Sequence, residues 1–392
     1  MTIKVGLEVL RENGYAELRD ARVGLMTNPS AVDRDLNSAY QIFTNASGIK
    51  LTALFAPEHG FAGVAAEGEQ VNNQTDARTG LPIYSLYGAD VRPSADMLKN
   101  IDILVCDIQD IGVRYYTYLW TISHIIEAAG ENGVRVIILD RPNPLGGLMI
   151  DGPILEPEMA SFVGRFPIPI QHGMTLGEMA QMMNALWNPT PADLIVIACE
   201  GWTRDMWWED TGLMWIPPSP NMPHLSTLHQ YPGACLIEGT TLSEGRGTPL
   251  PFEIVGAPAV DGIELAERMN RLYWLGVRFR PHIFRPSTSK WQGLDCGGVQ
   301  VHITDRDWWR PVETWLGLIM TIREMYPARS IWPLPRSAKL EPGAIYHFDR
   351  LIGSETMRMG IEAGLPLDKL TRTWGQECED FRAQREPFLI YS

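Results

Sequence analysis

Short, nearly continuous apolar runs recur along the first half of the chain, and they limit its fold more than any other feature. Each closes on polar residues, and helical stretches lie between them. Val134-Arg135-Val136-Ile137-Ile138-Leu139-Asp140 is the clearest, and Arg22 to Asn28, Leu51 to Gly60, Ile101 to Asp107 and Leu194 to Ala198 repeat it. Runs of this length and β-branched content suit strands buried on both faces, the condition of a parallel sheet. Between them, Thr117 to Gly130 and Leu176 to Leu186 carry helical patterns. The alternation predicts an α/β fold with a Rossmann-like open, mostly parallel sheet. Neither a GxGxxG fingerprint nor a P-loop follows the first strand, so no cofactor is carried in with the fold.

From about Trp202 to Pro258 the texture changes. Trp202, Trp207, Trp208 and Trp215 crowd together, as core or as a binding platform. Pro217-Pro218-Ser219-Pro220-Asn221-Met222-Pro223-His224 cannot be regular structure, because proline removes donors and fixes φ. The glycine-rich segment Glu238 to Thr248 follows, and long irregular stretches of this kind are often functional. Beyond it, helices mix with strands such as Gly298 to Thr304. The expected division is a Rossmann-like catalytic domain over 1–232 and a smaller α+β auxiliary domain over 233–392 that closes a cleft.

A formal charge of −14 repels phosphate backbones, which argues against nucleic acid as a partner. No apolar run reaches the length of a membrane span. The start of the sequence shows no charged segment followed by an apolar one, so the sequence as it stands reads as cytoplasmic, or as exported if a leader precedes it. Five dispersed cysteines, without a CxxC pair, read as buried free thiols. The eight histidines never take HxH or HExxH spacing, so no metal is expected, and a GxSxG elbow is missing too.

Open α/β sheets bind ligands beyond the carboxyl ends of their strands. The residues there are Asn28, then Glu58 and His59, then Asp107 and Asp110, then Asp140, Arg141 and Asn143. Glu58, on a sharp turn between Pro57 and His59-Gly60, is the sharpest candidate. Partial desolvation raises the pKa of such a carboxyl, as a general acid requires. His59 reads as a ligand to a substrate hydroxyl or as an orienting group. Asp107 to Tyr118 is dense in chemistry. There Arg114 suits a carboxylate or an internal ion pair, and Tyr115 and its neighbours suit a sugar ring or plain packing.

These stretches together resemble the NamZ or YbbC-like exo-β-N-acetylmuramidase family, glycoside hydrolases that process peptidoglycan. The resemblance is carried by Gly24 to Pro29, Pro57-Glu58-His59-Gly60, Asp107-Ile108-Gln109-Asp110, Asp140-Arg141-Pro142-Asn143-Pro144, Pro218 to Pro223, and Glu238-Gly239-Thr240 with Ser243 to Thr248. It implies a Rossmann-like domain with a smaller C-terminal one. It also implies release of terminal N-acetylmuramic acid from the non-reducing end of peptidoglycan fragments, with Glu58 as the acid. Glycoside hydrolysis usually takes a second carboxylate, here one of Glu69, Asp107, Asp110, Asp140 or Glu244, unless the substrate's own acetamido oxygen attacks C1. The lactyl carboxylate of muramic acid calls for a cation among Arg114, Arg141 and Arg246, while Asn221 and His224 suit sugar hydroxyls. Two rival readings stand beside it: a non-enzymatic module that binds cell-wall sugars with the same aromatics and arginines, and a metal-dependent hydrolase of cell-wall fragments.

Overall fold

In the computed structural model, which describes residues 2–66, 68–333 and 345–392, the apolar runs become strands. They are β1 (Arg22–Thr27), β2 (Lys50–Ala56), β3 (Gln74–Thr75), β4 (Pro82–Ser85), β5 (Ile103–Asp107), β6 (Arg135–Leu139) and β7 (Leu194–Ile197). Their order across one sheet is β3-β4-β2-β1-β5-β6-β7. Every neighbouring pair is parallel except β3 with β4. The expected open, mostly parallel sheet is what forms. The short strands β3 and β4, at one end of the sheet, carry too few apolar residues to stand out in the sequence.

Side chains alternate across a strand, and both faces of this sheet are covered. Val23 and Leu25 of β1, Leu54 and Ala56 of β2, Ile103 and Val105 of β5, and Ile137 and Leu139 of β6 share one core cluster. Leu7 and Leu10 from the helix Gly6–Glu12, with Ile42 and Phe43 from the helix Ala39–Asn45, pack into it. The intervening residues Met26, Phe55, Leu104, Cys106 and Ile138 are buried as well. The helices Tyr118–Asn132 and Leu176–Leu186 pack on β6, at the places their patterns predicted. Thr175 caps the second of these helices, its hydroxyl accepting from the Glu178 N–H.

The chain divides into two units, one of Met1–Met149, His172–Pro223 and Ala383–Ser392, the other of Ile150–Gln171 and His224–Arg382. The first holds the large sheet. The second holds the antiparallel sheet β8 (Ile254–Ala257), β9 (Val277–Phe284) and β10 (Cys296–Ile303), in the order β8-β10-β9. The boundary expected at 232/233 falls inside the helix Leu225–Ala234, which belongs wholly to the second unit. There Gly233 lies so close to Pro311 and Trp315 that no β-carbon fits, and Gln230 accepts from the Trp315 indole at 3.2 Å. The segments 150–171 and 383–392 cross between units, which the sequence division at a single point did not foresee. All five cysteines are buried and free. Trp202 and Trp208 are core residues, the first meeting Tyr391 edge to face and the second meeting Trp215.

At Gly177, in the first turn of its helix, a β-carbon would come within 2.5 Å of Val196 Cγ1 and 2.7 Å of Asp140 Cγ. Gly177→Ala is therefore expected to overpack the contact between that helix and the sheet. It should cost about 1–3 kcal/mol, read as a lower denaturation midpoint in urea.

Candidate active site

From β1 the chain steps to β2 and β4 on one side, then returns to β5, β6 and β7 on the other, so the strand order reverses between β1 and β5. Loops leaving those two strands diverge, which makes this the place where an open α/β sheet holds a ligand. Register levels the carboxyl ends: Thr27 faces Asp107, and Met26 faces Phe55. Asn28, Glu58 and Asp110 leave the sheet along this one edge.

Glu58 sits in a turn in which the Gly60 N–H donates to the Pro57 carbonyl at 3.0 Å. His59 and Gly60 both take left-handed backbone, with φ of 70° and 75°. The turn buries Glu58 to 7% exposure. The Thr117 hydroxyl donates to Glu58 Oε2 at 2.6 Å, and the Tyr87 hydroxyl hydrogen-bonds the same side chain. Burial first, and the Glu58 charge second, push the Tyr87 phenol up from its usual range. His59 turns away: its Nδ1 lies 2.8 Å from the Ala65 carbonyl, so it closes its own loop.

Asp110 and Glu58 both act on the Tyr116-Thr117-Tyr118 segment. Both tyrosine phenols feel both carboxyl groups, and burial pushes each phenol well up. Their rings meet edge to face at 4.9 Å. Asp110 Oδ2 accepts the Gly112 N–H at 2.8 Å, while Oδ1 is buried with no hydrogen-bond partner among the described residues. Burial raises its pKa to about 7 against the opposing pull of the Gly112 and Ile111 N–H groups. Asn28 is the joint of this corner. Its Nδ2 donates to the Tyr118 hydroxyl at 2.9 Å and to the Pro218 carbonyl at 3.2 Å, and its Oδ1 accepts the Ser30 N–H at 3.0 Å. The proline-braced loop is thus tied down through Pro218, and through Ser219, which hydrogen-bonds Tyr116.

Other predicted residues serve the frame. Asp107 is fully buried and takes a fork from Arg141, Nε to Oδ1 at 2.6 Å and Nη2 to Oδ2 at 3.0 Å. Asp140 accepts from the Thr175 and Tyr391 hydroxyls, each at 2.6 Å, and from the Gly177 N–H at 2.8 Å. Burial raises its pKa to about 6 in spite of these donors. Asn143 donates to the Met174 carbonyl at 2.9 Å and packs against Gly112, where a β-carbon would collide with its amide. Arg114 is fully buried, and desolvation lowers its pKa to about 10; Tyr115 is buried beside it in sequence. Glu69 is exposed and caps a turn, accepting the Ala66 N–H at 2.8 Å. Asn221 is half-buried in the proline loop.

His224, Glu244 and Arg246 belong to the second unit. His224 is exposed before its helix. Arg246 reaches Glu238 at 2.5 Å and Glu244 at 3.3 Å, with Phe252 under its guanidinium. Lys290 meets Glu244 at 3.0 Å and three backbone carbonyls besides. Two of the three arginines weighed for an anion, Arg141 and Arg246, therefore already face carboxylates. Among the described residues no cluster of three or more His, Cys, Asp or Glu forms that could hold a metal. Nor is any helix there long and apolar enough to cross a membrane. Sequence reading missed Thr117 as a partner of Glu58, although it lies in the dense 107–118 stretch, and Tyr87, which follows the inconspicuous strand β4.

Comparison with known proteins bears on this arrangement. Residues 23–226 match the family described as exo-beta-N-acetylmuramidase NamZ, N-terminal, and residues 229–391 its C-terminal counterpart. The chain is 45% identical over 389 residues to peptidoglycan beta-N-acetylmuramidase NamZ of Bacillus subtilis, covering 99% of this chain and 91% of that protein. A crystal structure of a DUF1343 family protein from Bacteroides fragilis superposes with a TM-score of 0.91 at 38% identity, over 100% of this chain and 99% of that one. A second DUF1343 protein of that organism gives 0.78 at 30% identity, with the same coverage.

The Asp107–Arg141 pair yields a test of the frame. Asp107→Asn leaves the Arg141 guanidinium buried with its charge uncompensated, and is expected to destabilise the fold by about 3–5 kcal/mol in urea denaturation.

Proposed function

The chain belongs to the exo-β-N-acetylmuramidase NamZ family, and from that premise we propose its reaction and its acid. It is an exo-acting glycoside hydrolase that releases β-linked N-acetylmuramic acid from the non-reducing end of peptidoglycan fragments, with Glu58 as general acid. Its substrates are the saccharide fragments that cell-wall recycling consumes.

One observation carries the assignment of Glu58: a carboxyl group at the end of β2, buried beside the reversal of strand order, and gripped by Thr117 and Tyr87. Cleaving a glycosidic bond requires a proton at the leaving oxygen, delivered by a group whose position is fixed before the substrate arrives. Two hydroxyl contacts fix Glu58 in that sense. The neighbouring Tyr116 and Tyr118 are buried and pack edge to face, so they brace the segment that carries Thr117. Water is the only co-reactant this chemistry needs. A module that merely bound cell-wall sugars would have no use for a buried, oriented acid.

Glu58→Gln preserves shape and removes the transferable proton. Turnover of the disaccharide in which N-acetylmuramic acid is β-1,4-linked to N-acetylglucosamine is expected to fall about 10²–10⁴-fold, with calorimetric affinity nearly unchanged. The wild-type protein is expected to cleave a chromogenic β-N-acetylmuramide and to spare its glucosaminide counterpart. Equal turnover of the two, or an indifferent Glu58→Gln protein, contradicts the reading.

A further inference from the structure

Asp110 is the carboxyl group in this corner that the fold leaves half used. The loop that carries it is rigidly set: Gly112 has φ of 75°, has no room for a β-carbon beside Asn143, and donates its N–H to Asp110 Oδ2. That contact engages one carboxyl oxygen and leaves the other. Oδ1 is closed off from water and meets no donor among the described residues, while the residue as a whole keeps 6% of its surface accessible. A buried acceptor without a donor is costly and rare in folded proteins. Compare the other strand-end carboxylates. Asp107 is neutralised by Arg141, and Asp140 is saturated by two hydroxyls and an N–H. Only Asp110 among these three has acceptor capacity to offer a ligand, and what it lacks is a hydrogen-bond donor.

The N-acetylmuramic acid residue carries such a donor on the carbon next to the one that reacts: the N–H of its 2-acetamido group. We propose that Asp110 is the second catalytic carboxyl group, accepting the acetamido N–H and turning the acetamido oxygen onto C1. This rests on the reading of the chain as an N-acetylmuramidase. In the first step the acetamido carbonyl oxygen forms a bond to C1 as the C1–oxygen glycosidic bond breaks, and the Glu58 proton goes to the leaving oxygen. The bicyclic oxazolinium ion that results is positive, and the Asp110 carboxylate compensates it through the N–H. In the second step water bonds to C1 and gives its proton to Glu58. The C1–acetamido oxygen bond breaks, and its electron pair restores the amide. No proton leaves Asp110, and the configuration at C1 is retained. The raised pKa of Asp110, about 7, places the acidic limb of kcat/KM near neutrality, because only the ionised form does this work.

Two experiments test it. The first uses the wild-type protein with aryl β-muramides whose N-acyl group is acetyl, monofluoroacetyl, difluoroacetyl or trifluoroacetyl. Fluorine drains the acyl oxygen, so kcat/KM is expected to fall steeply along the series, and proton NMR is expected to show the β-anomer formed first. A flat series, or inversion, overturns the proposal. The second compares Asp110→Asn with wild type. The variant is expected to lose on the order of 10²–10³-fold in kcat with little change in KM, equally for activated aryl and for natural leaving groups. An Asp110→Asn protein that keeps its melting temperature and its turnover overturns it. Should wild type fail to hydrolyse the acetyl substrate at all, the muramidase reading itself is at fault; the fluorinated series decides the point even if the variant does not fold.

Discussion

The parallel pairing of β1 with β2 on one flank and β5 on the other is the constraint on which the rest depends. It brings three loops, far apart along the chain, to one level edge, and it does so where the strand order reverses. Thr27 opposite Asp107 and Met26 opposite Phe55 fix the heights at which Asn28, Glu58 and Asp110 leave the sheet. A slip in that register would reverse which side chains face the core and scatter the corner. Burial on both faces of the sheet is what makes a slip expensive.

Within that edge, environment sorts chemically identical groups. Four carboxyl groups stand at or just beyond strand ends. Asp107, with a guanidinium forked onto it, is an internal strut, and Asp140, accepting three hydrogen bonds, ties a helix and the C-terminal segment to the sheet. Glu58 is oriented by hydroxyls, which hold without neutralising, and Asp110 is held by one oxygen with the other left over. The partner each group meets, rather than its residue type, divides frame from chemistry. The tyrosine pair that feels both Glu58 and Asp110 is tied to the proline-braced loop through Asn28 and Pro218. A rigid loop beside the acid follows from this joint.

Much of this was legible in the sequence because the signals are local. Continuous β-branched runs such as Val134 to Leu139 announce buried parallel strands, and the residue after each run is at the carboxyl edge by definition. That logic reached Glu58 and Asp110 together with Asp107, Asp140 and Asn143. It could not rank them, because ranking depends on contacts across long separations: Arg141 on Asp107, and Tyr391 on Asp140. Arg246 illustrates the same limit. A lone arginine among glycines invites an anion, yet Glu238 and Glu244 come from its own loop to meet it. The two units depart from a division at 232/233 for a similar reason, since Pro217 to Pro223 marks irregular chain without telling which side the next helix joins.

The account centres on Glu58 as the proton donor, and leaving-group dependence interrogates that role most directly. The kcat/KM of Glu58→Gln should be measured relative to wild type on a dinitrophenyl β-N-acetylmuramide, whose leaving group departs without a proton, and on the natural disaccharide, whose leaving group does not. The account predicts a variant close to wild type on the first and crippled on the second. Equal losses on both would show that Glu58 does not protonate the leaving oxygen, and the assignment would fail.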